Sequence, residues 1–195
     1  MKQQITLRQY RNIDLAILAV VMSIAQLVIH YAASIWFPDQ LYIVSPVAVI
    51  VALVMMRWGP WAAIHAVLGG LVLTYASGGS WQHYLIYGAG NALSMLALLM
   101  FKCFDKESLR QSGTWTVIFA VCIQLLMLLG RAAMAALLGF TLGECLGFIT
   151  TDVLSVLFTG CIAWAIRRID GLFEDQIHYL LRVQSEQSTE GREQL

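Results

Sequence analysis

Residues 114–138, TWTVIFAVCIQLLMLLGRAAMAALL, decide how the chain is read. About 25 residues of nearly unbroken apolar sequence exceed the roughly 20 that a helix needs to cross a bilayer. Inside the run stands one guanidinium, Arg131. A charge at that depth is costly and turns inward, towards a partner or a wet cavity. The rest of the chain is a set of helices arranged to accommodate it.

Composition agrees. Of 195 residues, 59% are hydrophobic and 12% charged, where a soluble domain carries about 25% charged residues. The class is integral membrane, with the lipid bilayer as surroundings, and no long polar block remains for a second domain. A formal net charge of zero leaves no basic surface for nucleic acid. Cys103, Cys122, Cys145 and Cys161 fall in no CxxC or metal-ligand spacing and read as small hydrophobes, so no metal site is expected. The first apolar run is too long for a cleaved leader and reads as a retained helix.

Apolar runs and breakers predict six transmembrane helices over 13–37, 41–56, 61–76, 83–101, 114–138 and 144–166. Residues 1–12 form a polar cytoplasmic segment. Pro46 lies in the first turns of the short second helix, where proline is tolerated. Arg57-Trp58-Gly59-Pro60 is a tight turn whose proline opens the third helix. Residues 102–113 are a charged connector. In 167–183, Ile169, Phe173, Ile177, Leu180 and Leu181 recur at helical spacing. That pattern fits an amphipathic helix on the membrane surface or a partner, or a frayed continuation of the sixth helix. Residues 184–195 are polar and read as disordered.

With both ends on one side, Lys2, Arg8, Arg11, Arg57, Lys102, Lys106, Arg110, Arg167, Arg168, Arg182 and Arg192 all share that side. The opposite loops, 38–40, 77–82 and 139–143, hold no Lys or Arg. The positive-inside rule then gives N-in and C-in. At about 1.5 Å per residue, Arg131 lies roughly 10 Å and Asp152 roughly 12 Å below the outer surface. Asn91 in the fourth helix and His30 in the first fall at the same level. Glu144 caps this layer. His83, Tyr84 and Tyr87 come from the start of helix four and Trp81 from the loop before it, while Trp36 and Tyr42 flank the first outer loop.

Two readings of the layer stand side by side. In one it lines a pocket open to the outside. Arg131 holds an anionic or carbonyl group through its planar fork, and Asp152 balances it or accepts a donor. The aromatics stack on a flat ring, and Asn91 and His30 add hydrogen bonds. In the other, Arg131 and Asp152 are an ion pair cementing neighbouring helices and the aromatics are an interfacial belt. His65, near the inner end of helix three, reads as packing. Ala16, Ala19 and Ser23 form a small-residue stripe on helix one that admits close helix approach, although similar spacings recur elsewhere in the chain.

In length, helix layout, short second helix, the Arg57-Trp58-Gly59-Pro60 turn and the helix-one stripe, residues 10–170 resemble a substrate-binding S component of an energy-coupling-factor (ECF) transporter. The resemblance implies an all-α six-helix bundle that captures a vitamin-like micronutrient, a flat heterocycle or corrinoid, from outside a prokaryotic cell. It also implies docking through the stripe on a transmembrane T component, with two ATPase subunits hydrolysing ATP. The family stripe is Ala-xxx-Ala; here the nearest match is Ala19–Ser23, with Ala16 one turn earlier. No catalytic residues and no cofactor are expected in this chain, which has no GxxxxGK[ST]. Its start, Met1-Lys2, departs from the Met-His of cobalt and nickel members. A free-standing secondary transporter or channel would fit the apolar helices, but no internal repeat is evident. An intramembrane enzyme lacks its motifs: no CxxC, no clustered aspartates, no GxS serine with a partnered histidine.

Overall fold

The computed structural model describes residues 6–38, 44–169 and 171–182, and every regular element among them is helical. In chain order these are α1 (Leu7–Trp36), α2 (Val47–Trp58), a 3-10 turn (Gly59–Trp61), α3 (Ala62–Ala76), α4 (Trp81–Asn91), a 3-10 stretch (Ala92–Leu99), α5 (Met100–Cys103), α6 (Lys106–Gln111), α7 (Gly113–Leu137), α8 (Leu142–Thr150) and α9 (Val153–Ile166). Residues 176–182 are helical as well. Five helical runs are long and apolar enough to cross a membrane: Leu7–Trp36, Val47–Ala76, Trp81–Cys103, Gly113–Leu137 and Leu142–Ile166. This is the make-up of a multi-pass membrane protein. Lys2, Tyr42 and the tail 184–195 lie outside the described residues.

The run Val47–Ala76 is not straight. Gly59 sits at φ +59, a backbone region that suits glycine, and Pro60 follows it into the next turn. The chain doubles back there. A Cβ on Gly69 would lie 2.5 Å from Val47 Cγ1, so the start of α2 packs against the third turn of α3. The sequence of α2 is apolar all round, and such a helix belongs at the centre. Val51, Ala52, Val54 and Met55 are wholly buried, with Met22 of α1 and Phe119, Ile123 and Met127 of α7 in the same core. By contrast α1 leaves Ile17, Val20, Ile24 and Val28 exposed along its length.

Helix α1 starts earlier than its apolar run suggests. The Thr6 side chain accepts from Gln9 N at 3.3 Å and Gln9 Oε1 accepts from Thr6 N at 2.9 Å. That reciprocal cap nucleates the helix at Leu7 and puts Arg8 and Arg11 on it. The predicted second helix begins at Val47, and the predicted sixth is interrupted at Thr151–Asp152.

The start of α1 and residues 171–176 meet at one end of the bundle. Asp14 accepts from Arg57 Nε at 3.0 Å, Arg57 Nη2 at 2.7 Å and Trp58 Nε1 at 2.6 Å. Arg57 Nη1 reaches the Gly171 carbonyl at 3.3 Å. Tyr10 donates to Gln176 Oε1 at 3.0 Å, and Lys106 pairs with Asp175 at 2.6 Å. Residues 167–169 and 171–174 are turns and bends, and the helix resumes at 176. Phe173 and Gln176 point into the bundle, whereas Ile169, Ile177 and Leu181 remain exposed.

Candidate functional site

The layer is built where α4 crosses α7. A Cβ on Gly130 would fall 2.0 Å from the Gly90 carbonyl oxygen, so the two backbones touch and the residues beside the glycines face each other. Arg131 Nε donates to Asn91 Oδ1 at 2.7 Å. Asn91 Nδ2 in turn donates to the Ala66 carbonyl of α3 at 3.0 Å. Arg131 Nη1 donates to Asp152 Oδ2, and the guanidinium lies 4.6 Å from the centroid of the Tyr87 ring. Arg131 and Asp152 are each 1% exposed.

Asp152 stands where the helix breaks between α8 and α9. Its carboxylate turns into the bundle and makes no capping bond to the backbone of α9. Oδ2 also accepts from Gln124 Nε2 at 3.2 Å, and Oδ1 accepts from the Ser155 hydroxyl. The positive end of α9 favours this carboxylate as well. Ser155 Oγ accepts from Ser45 N at 3.0 Å, and Ser45 Oγ donates to Gln26 Oε1 at 2.7 Å. One line of buried polar groups thus joins α3, α4, α7, the α8–α9 break, the entry to α2, and α1. It ends at Gln26 Nε2, which is buried with no partner among the described residues.

Above the ion pair is an aromatic cluster centred on Phe148. Tyr87 meets it edge-on at 5.8 Å between centroids, His83 at 6.1 Å and Phe140 at 6.2 Å. Tyr87 touches both groups, with its ring over Arg131 on one side and against Phe148 on the other. Arg131, Asp152, Asn91 and Tyr87 are all buried, so they form a packed, charge-balanced polar floor under the aromatic cluster, with Phe148 half-buried beside it.

Arg131, Asp152, Asn91 and Tyr87 thus come together, with His83 at the rim, where its Nδ1 lies 2.9 Å from Ser80 Oγ. The other predicted residues stand apart. His30 is half-buried and edge-on to Tyr31 at 5.6 Å. Trp36 is 74% and Trp81 66% exposed, and Tyr84 is half-buried. Glu144 is exposed and closes a capping box with Thr141, accepting from its N and its Oγ1 at 2.7 Å each. On α1, Ala16 is exposed while Ala19 and Ser23 are half-buried, and Ser23 Oγ donates to the Ala19 carbonyl at 2.8 Å. His65, read as packing, is buried, with Nε2 3.0 Å from the Leu15 carbonyl. Phe148, Phe140, Gln124, Ser155, Ser45 and Gln26 join the site without having been singled out. The Gly90/Gly130 contact was the one available signal, since two glycines each precede a polar residue of the layer.

No protein-family model, curated protein or solved structure matches the chain.

Proposed function

We propose that this protein is the substrate-capturing membrane subunit of an ECF-type uptake transporter in a prokaryotic cytoplasmic membrane. In this reading the chain crosses six times, α2 and α3 counting as separate crossings, with both ends in the cytoplasm. A vitamin-like micronutrient enters from outside and settles against Phe148, Tyr87 and His83 over the Arg131–Asp152 floor. Asp152 already balances Arg131, so the reading favours a ring with neutral amide or carbonyl edges over a free anion. The small-residue stripe at Ala16, Ala19 and Ser23, on a helix that exposes most of its length, is the docking face for a T component served by two ATPases.

The observation that carries the reading is the interrupted helix at Asp152. Broken helices with inward charged groups mark binding sites in membrane proteins, because irregular backbone at that depth must be buried or line a cavity. The same break would serve a solitary secondary transporter, and partner capture separates the two. Affinity purification of the tagged protein from its host membranes should bring down two ATPase subunits and one other membrane protein in fixed ratio. Recovery of the chain alone, still competent in uptake after reconstitution, would transfer the reading to the solitary transporter.

A further inference from the structure

At the basic end of the bundle, two cavities flank the Lys106–Asp175 ion pair, and their linings differ in sign. One, of about 390 Å³, is bordered by Asp105, Glu107, Glu174 and Asp175 against Lys106 and His178. The other, of about 270 Å³, lies between the start of α1 and the Gly59 turn. Arg8, Arg11, Arg57 and Lys106 line it against a single carboxylate, Asp175. Arg57 and Lys106 are engaged with Asp14 and Asp175. Arg8 and Arg11 form no ion pair among the described residues. Arg11 stacks on Trp61 at 4.4 Å, and its Nε is buried with no hydrogen-bond partner. The cavity wall therefore carries two arginines without an ion pair and a buried donor without an acceptor among the described residues, which is a costly state unless a ligand completes it.

We infer that this cavity seats the phosphodiester headgroup of an anionic phospholipid. It lies at the start of one run with membrane-crossing character and at the Gly59 turn midway along another, and its wall carries Trp58, Trp61 and Leu7. Indole rings and apolar side chains beside paired arginines match the headgroup–acyl boundary. A soluble phosphate would have no use for that apolar wall. Bound there, the lipid bridges α1 to the α2–α3 turn at the place where residues 171–176 are also tied down. The inference is independent of which substrate the opposite half takes.

The test is native mass spectrometry of the purified full chain released from mixed micelles holding phosphatidylglycerol and phosphatidylcholine in equal amounts. The wild type should retain one phosphatidylglycerol in preference to phosphatidylcholine. Each arginine removed should weaken retention about fivefold, the effect of losing one interfacial cation, in Arg8→Gln and in Arg8→Gln/Arg11→Gln. The exposed Arg168→Gln at the same end should leave retention unchanged. Should the double variant not fold, Arg8→Gln alone decides, because its side chain is exposed and unbonded. Equal retention of the two lipids, or an Arg168→Gln effect as large as that of Arg8→Gln, would overturn the site in favour of diffuse attraction. Displacement of the lipid by millimolar inorganic phosphate would overturn the lipid assignment in favour of a soluble phosphate-bearing ligand.

Discussion

Gly90 and Gly130 touch backbone to backbone, and this contact brings Asn91 within 2.7 Å of Arg131. The buried cation is held because two helices come closer than any side chain would permit. Gly130→Ala should force α4 and α7 apart and break the Arg131–Asn91 bond. A loss of about 3 kcal/mol is expected, at the upper end of overpacking costs, seen as a lower unfolding midpoint in detergent. A midpoint within one degree or so of wild type would mean that the helices can slide past the extra methyl.

Arg131 and Asp152 are buried together, so removing one strands the other. Asp152→Ala should cost about 3–5 kcal/mol, the price of an uncompensated buried charge. Arg131→Met/Asp152→Leu should recover most of that loss, because the desolvation penalty of both ions disappears. Thermal unfolding of Arg131→Met, Asp152→Leu and the double gives the coupling directly. Strict additivity would show that the two side chains do not stabilise each other.

Asp14 takes three donors, two from Arg57 and one from Trp58. Asp14→Asn keeps the shape but loses charge and acceptor capacity, with an expected cost of about 2 kcal/mol. Arg57 also holds the Gly171 carbonyl, so the segment from 171 to 182 should become cleavable by trypsin at Arg182 sooner than in wild type. Unchanged cleavage kinetics would place the anchoring of that segment on Phe173 and Gln176 alone.

Ala19 lies half-buried on the small-residue stripe of α1, a helix otherwise open along much of its surface. If α1 docks the T component, Ala19→Trp should stop uptake by the assembled transporter while the isolated subunit keeps its ligand affinity. Loss of ligand affinity together with uptake would assign the stripe to packing within the subunit.

Much of this layer could be read from the chain because helical rise is fixed. Counting residues from each outer loop put Arg131, Asp152 and Asn91 at one depth, and they do meet. The same count put His30 there too, but depth says nothing of azimuth, and His30 faces Tyr31 on the outside of α1. Trp36 and Trp81 were conspicuous as residue types but are largely exposed. Phe148 sits at the centre of the aromatic cluster, yet in sequence it is one apolar residue in an apolar run. Gln26, Ser45 and Ser155 are ordinary polar residues whose meeting depends on where α2 enters the bundle. The Gly59 turn was legible from Gly-Pro, whereas the helix break at Asp152 has no glycine or proline to announce it. The return of 171–182 onto Tyr10, Arg57 and Lys106 was hidden, because a surface helix and a docked one share the same apolar spacing.

In the proposed function, the aromatic cluster over the Arg131–Asp152 pair holds a small flat molecule taken from outside. Native mass spectrometry of the protein purified from its own host's membranes tests it most directly. One non-covalent small-molecule adduct is expected on the wild type, with at least about tenfold weaker retention on a folded Phe148→Ala variant, whose aromatic contact is gone. A wild-type protein that carries no such adduct even after incubation with host growth medium, or an adduct held equally well by Phe148→Ala, would contradict it.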